Sequence, residues 1–156
     1  MPETEVAGKT LLDLGPGAGS SAEKIKIEVG SALPMKEKLE KPMRGRDLVT
    51  GLPREVIIND EQVRQALNKS IGILVEAVKE TIEETPPELV ADIMERGIIL
   101  AGGGALLRQL DRLIAEITQT KVFIADDPLT CVARGTGVVL EDLETLESVL
   151  LSSALR

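Results

Sequence analysis

A chain of 156 residues that is 43% hydrophobic can hold one sizeable core, or two small lobes sharing an interface, and is globular rather than disordered. Its formal charge of -8 and its single aromatic residue, Phe123, argue against a nucleic-acid or anionic-membrane binder, which needs basic patches or base-stacking rings. The absence of histidine excludes imidazole bases, Ser-His-Asp triads and most zinc sites, and the lone cysteine, Cys131, excludes an intrachain disulfide.

No catalytic and no metal-ligating set is therefore assigned, and any chemistry must run on carboxylates, lysines or backbone amides. Cys131 reads as small core filler in a reducing compartment. No run reaches the length of a membrane span, and the start, with Glu3 and Glu5, lacks the charged and apolar regions of a signal peptide. A cytoplasmic location with no direct membrane anchor is expected.

Residues 1–21 read as a flexible leader. Gly8-Lys9-Thr10 ends like a Walker A loop, but Glu3 stands where the leading glycine belongs and no strand precedes it. L-L-D-L-G-P-G-A-G (residues 11–19) resembles the first motif of S-adenosylmethionine-dependent methyltransferases, with Asp13, Gly15, Gly17 and Gly19 in matching places. No later strand ending in a ribose-binding acid accompanies it, so a methyltransferase-like cofactor site is the alternative reading. Ser20 and Glu23 form a capping-box pattern that predicts a helix through Ile25 to about Val29, although Ile25, Ile27 and Val29 also alternate as a strand would. Residues 36–41 are a charged surface connection. Residues 41–47 and 54–58 flank L-V-T-G-L-P and predict a two-stranded ribbon, with Arg44 and Arg46 on one side and expected to pair with acidic groups.

Asn59, with Gln62 three residues on, caps a long helix whose stripe is Val63, Leu67, Ile71, Leu74, Val78 and Ile82. Pro86 and Pro87 end it, and residues 89–94 suit a short helix. Ile98, Ile99 and Leu100 then form an apolar run that predicts a buried parallel strand and stops at three glycines. Gly102, Gly103 and Gly104 allow a sharp turn and a close approach to a ligand. A helix expected from Leu106, with Leu110, Leu113 and Ile117 on one face, would point its N-terminal amides back at them. The pattern is not the dinucleotide fingerprint, because Leu107 fills the third glycine position. Residues 121–125 read as a second buried strand, parallel to the first through a right-handed crossover. Asp126 stands where a ribose-binding acid would lie, but next to Asp127-Pro128 it reads more simply as a turn residue. A helix from about Thr130 carries Ala133, Gly135 and Gly137, expected to pack closely against a neighbour, and an amphipathic tail through Leu140, Leu143, Leu146 and Leu150.

From residue 22 to about residue 146 the sequence resembles the C-terminal part of the MreB family, the bacterial actins that determine rod shape. The matching segments are A-E-K-I-K-I-E-V-G-S-A (22–32), R-G-R-D-L-V-T-G-L-P (44–53), the long run from V-E-A-V-K-E-T-I-E-E-T-P-P to G-I-I-L-A-G-G-G-A-L-L-R (75–108), and D-D-P-L-T-C-V-A-R-G-T-G (126–137). The resemblance implies an α/β fold, the C-terminal lobe of the actin/Hsp70 ATPase fold, with parallel strands, packed helices and a small β-ribbon subdomain. The organisation expected from it is a divergent leader (1–21), a small α+β subdomain (22–59) and an α/β nucleotide-binding subdomain with a C-terminal helix (60–156).

The resemblance also implies ATP as the ligand. Its adenosine motif maps onto Gly102, Gly103, Gly104 and Ala105, and the helix-start element that meets the adenine and ribose maps onto Glu23, Lys24, Ile25 and Lys26. Nothing here resembles the N-terminal lobe with its phosphate loop, magnesium-binding aspartate and water-positioning carboxylate, and the second phosphate loop is missing too. Magnesium would be held by that missing lobe, and turnover by this chain alone is not expected. The reading is thus a truncated MreB-type cytoskeletal protein, with itself or full-length MreB as filament partner and the cell-wall elongation machinery beyond. A ligand-free interaction module is the remaining alternative.

Overall fold

The computed structural model describes residues 4–6, 10–13 and 18–141. The elements run β1 (Thr4–Val6), β2 (Thr10–Asp13), α1 (Ala18–Val29), β3 (Glu40–Asp47), β4 (Pro53–Asn59), α2 (Asp60–Glu83) and α3 (Pro87–Arg96). They continue with β5 (Ile98–Leu100), a 3-10 turn (Gly103–Leu106), α4 (Leu110–Thr118), β6 (Val122–Ile124) and α5 (Cys131–Glu141).

Two sheets result. β1 to β4 form an antiparallel sheet in chain order, and β5 pairs in parallel with β6, Ile98 opposite Val122 and Leu100 opposite Ile124. Residues 1–21 thus supply two strands where a leader is expected. T-E-V and T-L-L-D are β-branched or apolar at most positions, and the second pairs Leu12 with Asp47 and Asp13 with Arg46 along the otherwise open edge of β3. Leu14 to Gly17, with Gly15 and Gly17 of the methyltransferase-like motif, lie outside the described residues.

The long helix behaves as its stripe predicts at both ends. Asn59 accepts from the Gln62 amide at 2.9 Å, and the Gln62 side chain accepts from the Asn59 amide at 3.0 Å, the reciprocal cap read from the sequence. One face of α2 then serves two cores. Val63 and Leu67 join Val29, Met43 and Ile58 between α1 and the ribbon, while Ile71 and Val78 join Ala32, Leu110 and Ile114 between the parallel strands and α4. Leu74, on the same stripe, is largely exposed.

Several expectations change at this level. Helix α1 already begins at Ala18, so Ser20 lies inside it and not at its N-cap position. β5 and β6 are parallel, as read, but open on one face and only half-buried on the other: Ile99 and Phe123, partners in register, are both exposed. Helices α2 and α4 cover the other face, where Ile98, Leu100 and Val122 pack, and among the described residues no second helical layer covers Ile99. Gly135 and Gly137 have open space where a Cβ would stand, so the close packing expected of them is not made among the described residues.

The ribbon's turn is held by a buried acid. Asp47 accepts from the amides of Val49 at 2.8 Å and Thr50 at 3.1 Å and pairs with Arg54 at 2.6 Å, while Gly51, at φ 72°, closes the loop back onto the Asp47 carbonyl. Arg44 pairs with Glu55, as expected, at 2.5 Å; Arg46 donates instead to the Gly51 carbonyl at 2.9 Å. The Arg54 hydrogen bond, then the two amides, lower the Asp47 pKa from 3.8 to about 2. A carboxyl whose folded pKa is depressed stabilises the native state fully above its ordinary value and progressively less as pH falls toward 2. Urea midpoints measured from pH 7 down to pH 2 are expected to show this loss in the wild type, and Asp47→Asn, already weaker at pH 7, should lack that part of the acid limb. Parallel curves for the two proteins would contradict the assignment.

Candidate functional site

The glycine turn grows directly out of β5. At Gly102 the backbone takes φ 82°, which any side chain would strain, and its amide donates to the Pro128 carbonyl at 2.7 Å. This tethers the turn to the loop that follows β6, where Ala125 in turn donates to Leu100 at 2.9 Å. Gly103, Gly104, Ala105 and Leu106 then form a 3-10 turn, and not the first turn of an α-helix as expected.

The regular helix α4 starts only at Leu110, because Leu107 is extended and Gln109 is left-handed at φ 63°. The reason is tertiary. Residues 107–108 are drawn aside to pair with residue 31, Ser31 and Arg108 forming a parallel bridge and Ala32 donating to the Arg108 carbonyl at 2.8 Å. The N-terminal amides of α4 therefore do not stand directly behind the three glycines.

What the glycines face decides why they are glycines. A Cβ at Gly104 would meet nothing within 4 Å, and one at Gly103 would touch only Leu129 Cδ2 at 3.5 Å, an ordinary contact. Neither has a positive φ. The chain's own packing thus gives no reason for glycine at either place, although each adds to the entropy lost on folding. Both are exposed, whereas Ala105 is buried at 3% exposure beneath them.

On α1, Glu23 and Lys24 are exposed, and Lys26 lies within 2.7 Å of Glu23 one turn back. Ile25 turns inward onto the ribbon core and serves as packing. The C-terminal end of this helix, not its start, touches the turn region. Gly30 is fully enclosed there: a Cβ would run into the Lys26 carbonyl oxygen and stand 3.3 Å from Leu107 Cδ1. Arg108 Nη1 donates to the carbonyls of Ile27 at 2.7 Å and Gly30 at 3.4 Å. Sequence reasoning finds neither Gly30 nor Arg108, since their partners lie about 80 residues away in the chain.

Asp126 is exposed in the loop after β6. Its neighbour Asp127, at φ 49°, accepts at its main-chain carbonyl from Thr130 and Cys131, at 3.1 Å each, to start α5, so this segment is the helix-starting turn. The methyltransferase comparison meets a topological obstacle: β2, the strand before its glycines, runs antiparallel to both of its neighbours. Ligand sites at strand ends of open α/β sheets lie outside the carboxyl ends of mostly parallel strands.

A parallel pair, a glycine turn leaving its first strand, and an antiparallel ribbon joined through one long helix make this a lobe of the actin-like class. A structure of MreB5 from Spiroplasma citri bound to ADP superposes with a TM-score of 0.79 at 35% identity, over 88% of this chain and 41% of that one. The model of the MreB/Mbl protein family matches residues 16–148, and the chain belongs to that family. Among curated relatives, the cell shape-determining protein Mbl of Bacillus subtilis is 47% identical over 132 residues, covering 85% of this chain and 40% of the relative. The cell shape-determining protein MreB of Escherichia coli K12 is 50% identical over 125 residues, covering 80% and 36%. The chain thus spans about two fifths of the length of these relatives. Among the described residues no helix is long and apolar enough to cross a membrane.

Proposed function

We propose that this chain contributes the adenosine-binding half of an ATP site in an MreB-type, actin-like cytoskeletal protein that maintains cell shape from the cytoplasm. Its partners on this reading are further copies of itself or full-length MreB in filaments, and through them the cell-wall elongation machinery. Gly102, Gly103, Gly104 and the Ala105 backbone form the floor against which the purine sugar lies. Glu23, Lys24 and Lys26 on α1 supply the polar wall on the base and ribose side, with Ile25 anchoring that helix to the core. The chain is not expected to hydrolyse ATP alone, because groups for the metal and the γ-phosphate would come from the other lobe.

One observation carries the reading: two consecutive exposed glycines that the fold does not need, with open space over Gly104 and a single ordinary contact at Gly103. Space that a Cβ would take up lets an uncharged nucleoside come close to the backbone, and the ADP in the Spiroplasma citri relative carries such a group. The test separates affinity from stability. Gly104→Ala should leave the unfolding midpoint unchanged or slightly raised, since alanine reduces the freedom of the unfolded chain. In the same protein ADP binding, followed by calorimetry, should weaken by roughly ten-fold, and by more for Gly103→Val. Unaltered affinity in both variants would remove the glycine turn from the site.

A further inference from the structure

We infer that Arg108 is a positioning residue for adenosine: it fixes the distance between α1 and the glycine turn without touching the ligand. This rests on the nucleotide reading above. A purine nucleoside held between two walls needs both in van der Waals reach at once, and the walls proposed here belong to segments some 80 residues apart in sequence.

Arg108 joins them three ways. Its main chain pairs with Ser31 and accepts from Ala32 at 2.8 Å. Its guanidinium donates at 2.7 Å and 3.4 Å to the carbonyls of Ile27 and Gly30, which have no onward partner within α1 because that helix ends at Val29. A cation at that end also complements the negative pole of the helix. Leu107, beside it, packs on Gly30, where no larger residue fits. The guanidinium makes no ion pair among the described residues. Its donors go to helix carbonyls.

Without the strut, α1 is tied to the turn only by one amide and the Leu107 contact. Ile25 and Val29 still hold α1 on the ribbon core, but its end is no longer fixed against the turn, and binding must restore that spacing. The cost falls on the base and sugar side, so adenosine and ADP should lose affinity by the same factor.

The experiment uses the full chain and titrates ADP and adenosine separately into wild type, Arg108→Met, which keeps an apolar stem without donors, and Arg108→Lys. Arg108→Met should bind both ligands roughly ten-fold more weakly, the size of one lost charge-assisted hydrogen bond. Arg108→Lys, a point donor without the fork, should recover part of that loss. Amide exchange at Ser31 and Ala32 should quicken in Arg108→Met. Wild-type affinity for both ligands in Arg108→Met overturns the proposal, as does a loss confined to ADP, which would put Arg108 on a phosphate. Should Arg108→Met fail to fold, Arg108→Gln decides the same comparison. A wild type that binds neither ligand sinks the nucleotide reading, and this one with it.

Discussion

Gly97→Ala is expected to cost roughly 3–5 kcal/mol, enough to remove a large part of the stability of an ordinary small domain. Gly97 sits between α3 and β5 at φ 88°, a conformation that alanine adopts only with strain. A methyl group there would stand 2.6 Å from the Lys121 carbonyl oxygen and 2.8 Å from the Phe123 ring. The first of these cannot move away, because that oxygen accepts from the Ile98 amide at 2.8 Å and so begins the parallel pairing. Strain and collision thus fall on the strand from which the glycine turn emerges. Amide exchange should show β5 and β6 losing protection while β3 and β4, whose core lies elsewhere, retain most of theirs. A variant with wild-type protection in β5 would contradict this account.

Ile114→Ala comes next, at about 3–4 kcal/mol. Ile114 is 1% exposed and is the largest fully buried side chain among the described residues. It closes the core under the parallel strands, where Leu110 and Ala32 are its buried neighbours. So small a core has little slack to collapse into the hole, which is why the lower end of the usual range for such truncations does not apply. A drop in Tm on the order of 10 °C is expected by calorimetry. Ile99→Ala provides the contrast: the same chemistry at a side chain 69% exposed should change Tm by little. Equal effects at the two positions would mean that the uncovered face of the sheet is as well packed as the covered one.

Much of the candidate site is legible in the chain order of its residues. The run I-I-L-A-G-G-G-A places a strand and then a bare turn, and both are present, with Gly102 at positive φ. The helix expected immediately afterwards is displaced to Leu110. Periodicity along a segment cannot report a partner elsewhere, and it is Ser31 that holds Arg108 out of helical conformation. The capping pattern at Ser20 fails for a related reason. Local hydrogen-bonding residues state where a helix is able to start, and in α1 the helix simply begins two residues earlier, at Ala18. At Asn59 the same kind of pattern agrees with the tertiary structure, because the ribbon ends there and leaves the cap free to form.

The amino-acid sequence by itself determined the elements whose reasons are local: the capped helix α2 with its apolar stripe, the ribbon and its turn, the parallel pairing of two short apolar strands, and the glycines between strand and helix. Each depends on residues a few positions apart, within reach of helix or strand periodicity and of turn chemistry. Only the tertiary structure decided that one stripe on α2 serves two separate cores, that one face of the parallel pair stays open, and that Arg108 reaches across to the end of α1. Those outcomes hinge on which surfaces meet after the chain has folded back on itself, and side chains some 80 residues apart carry no mutual signature until they touch.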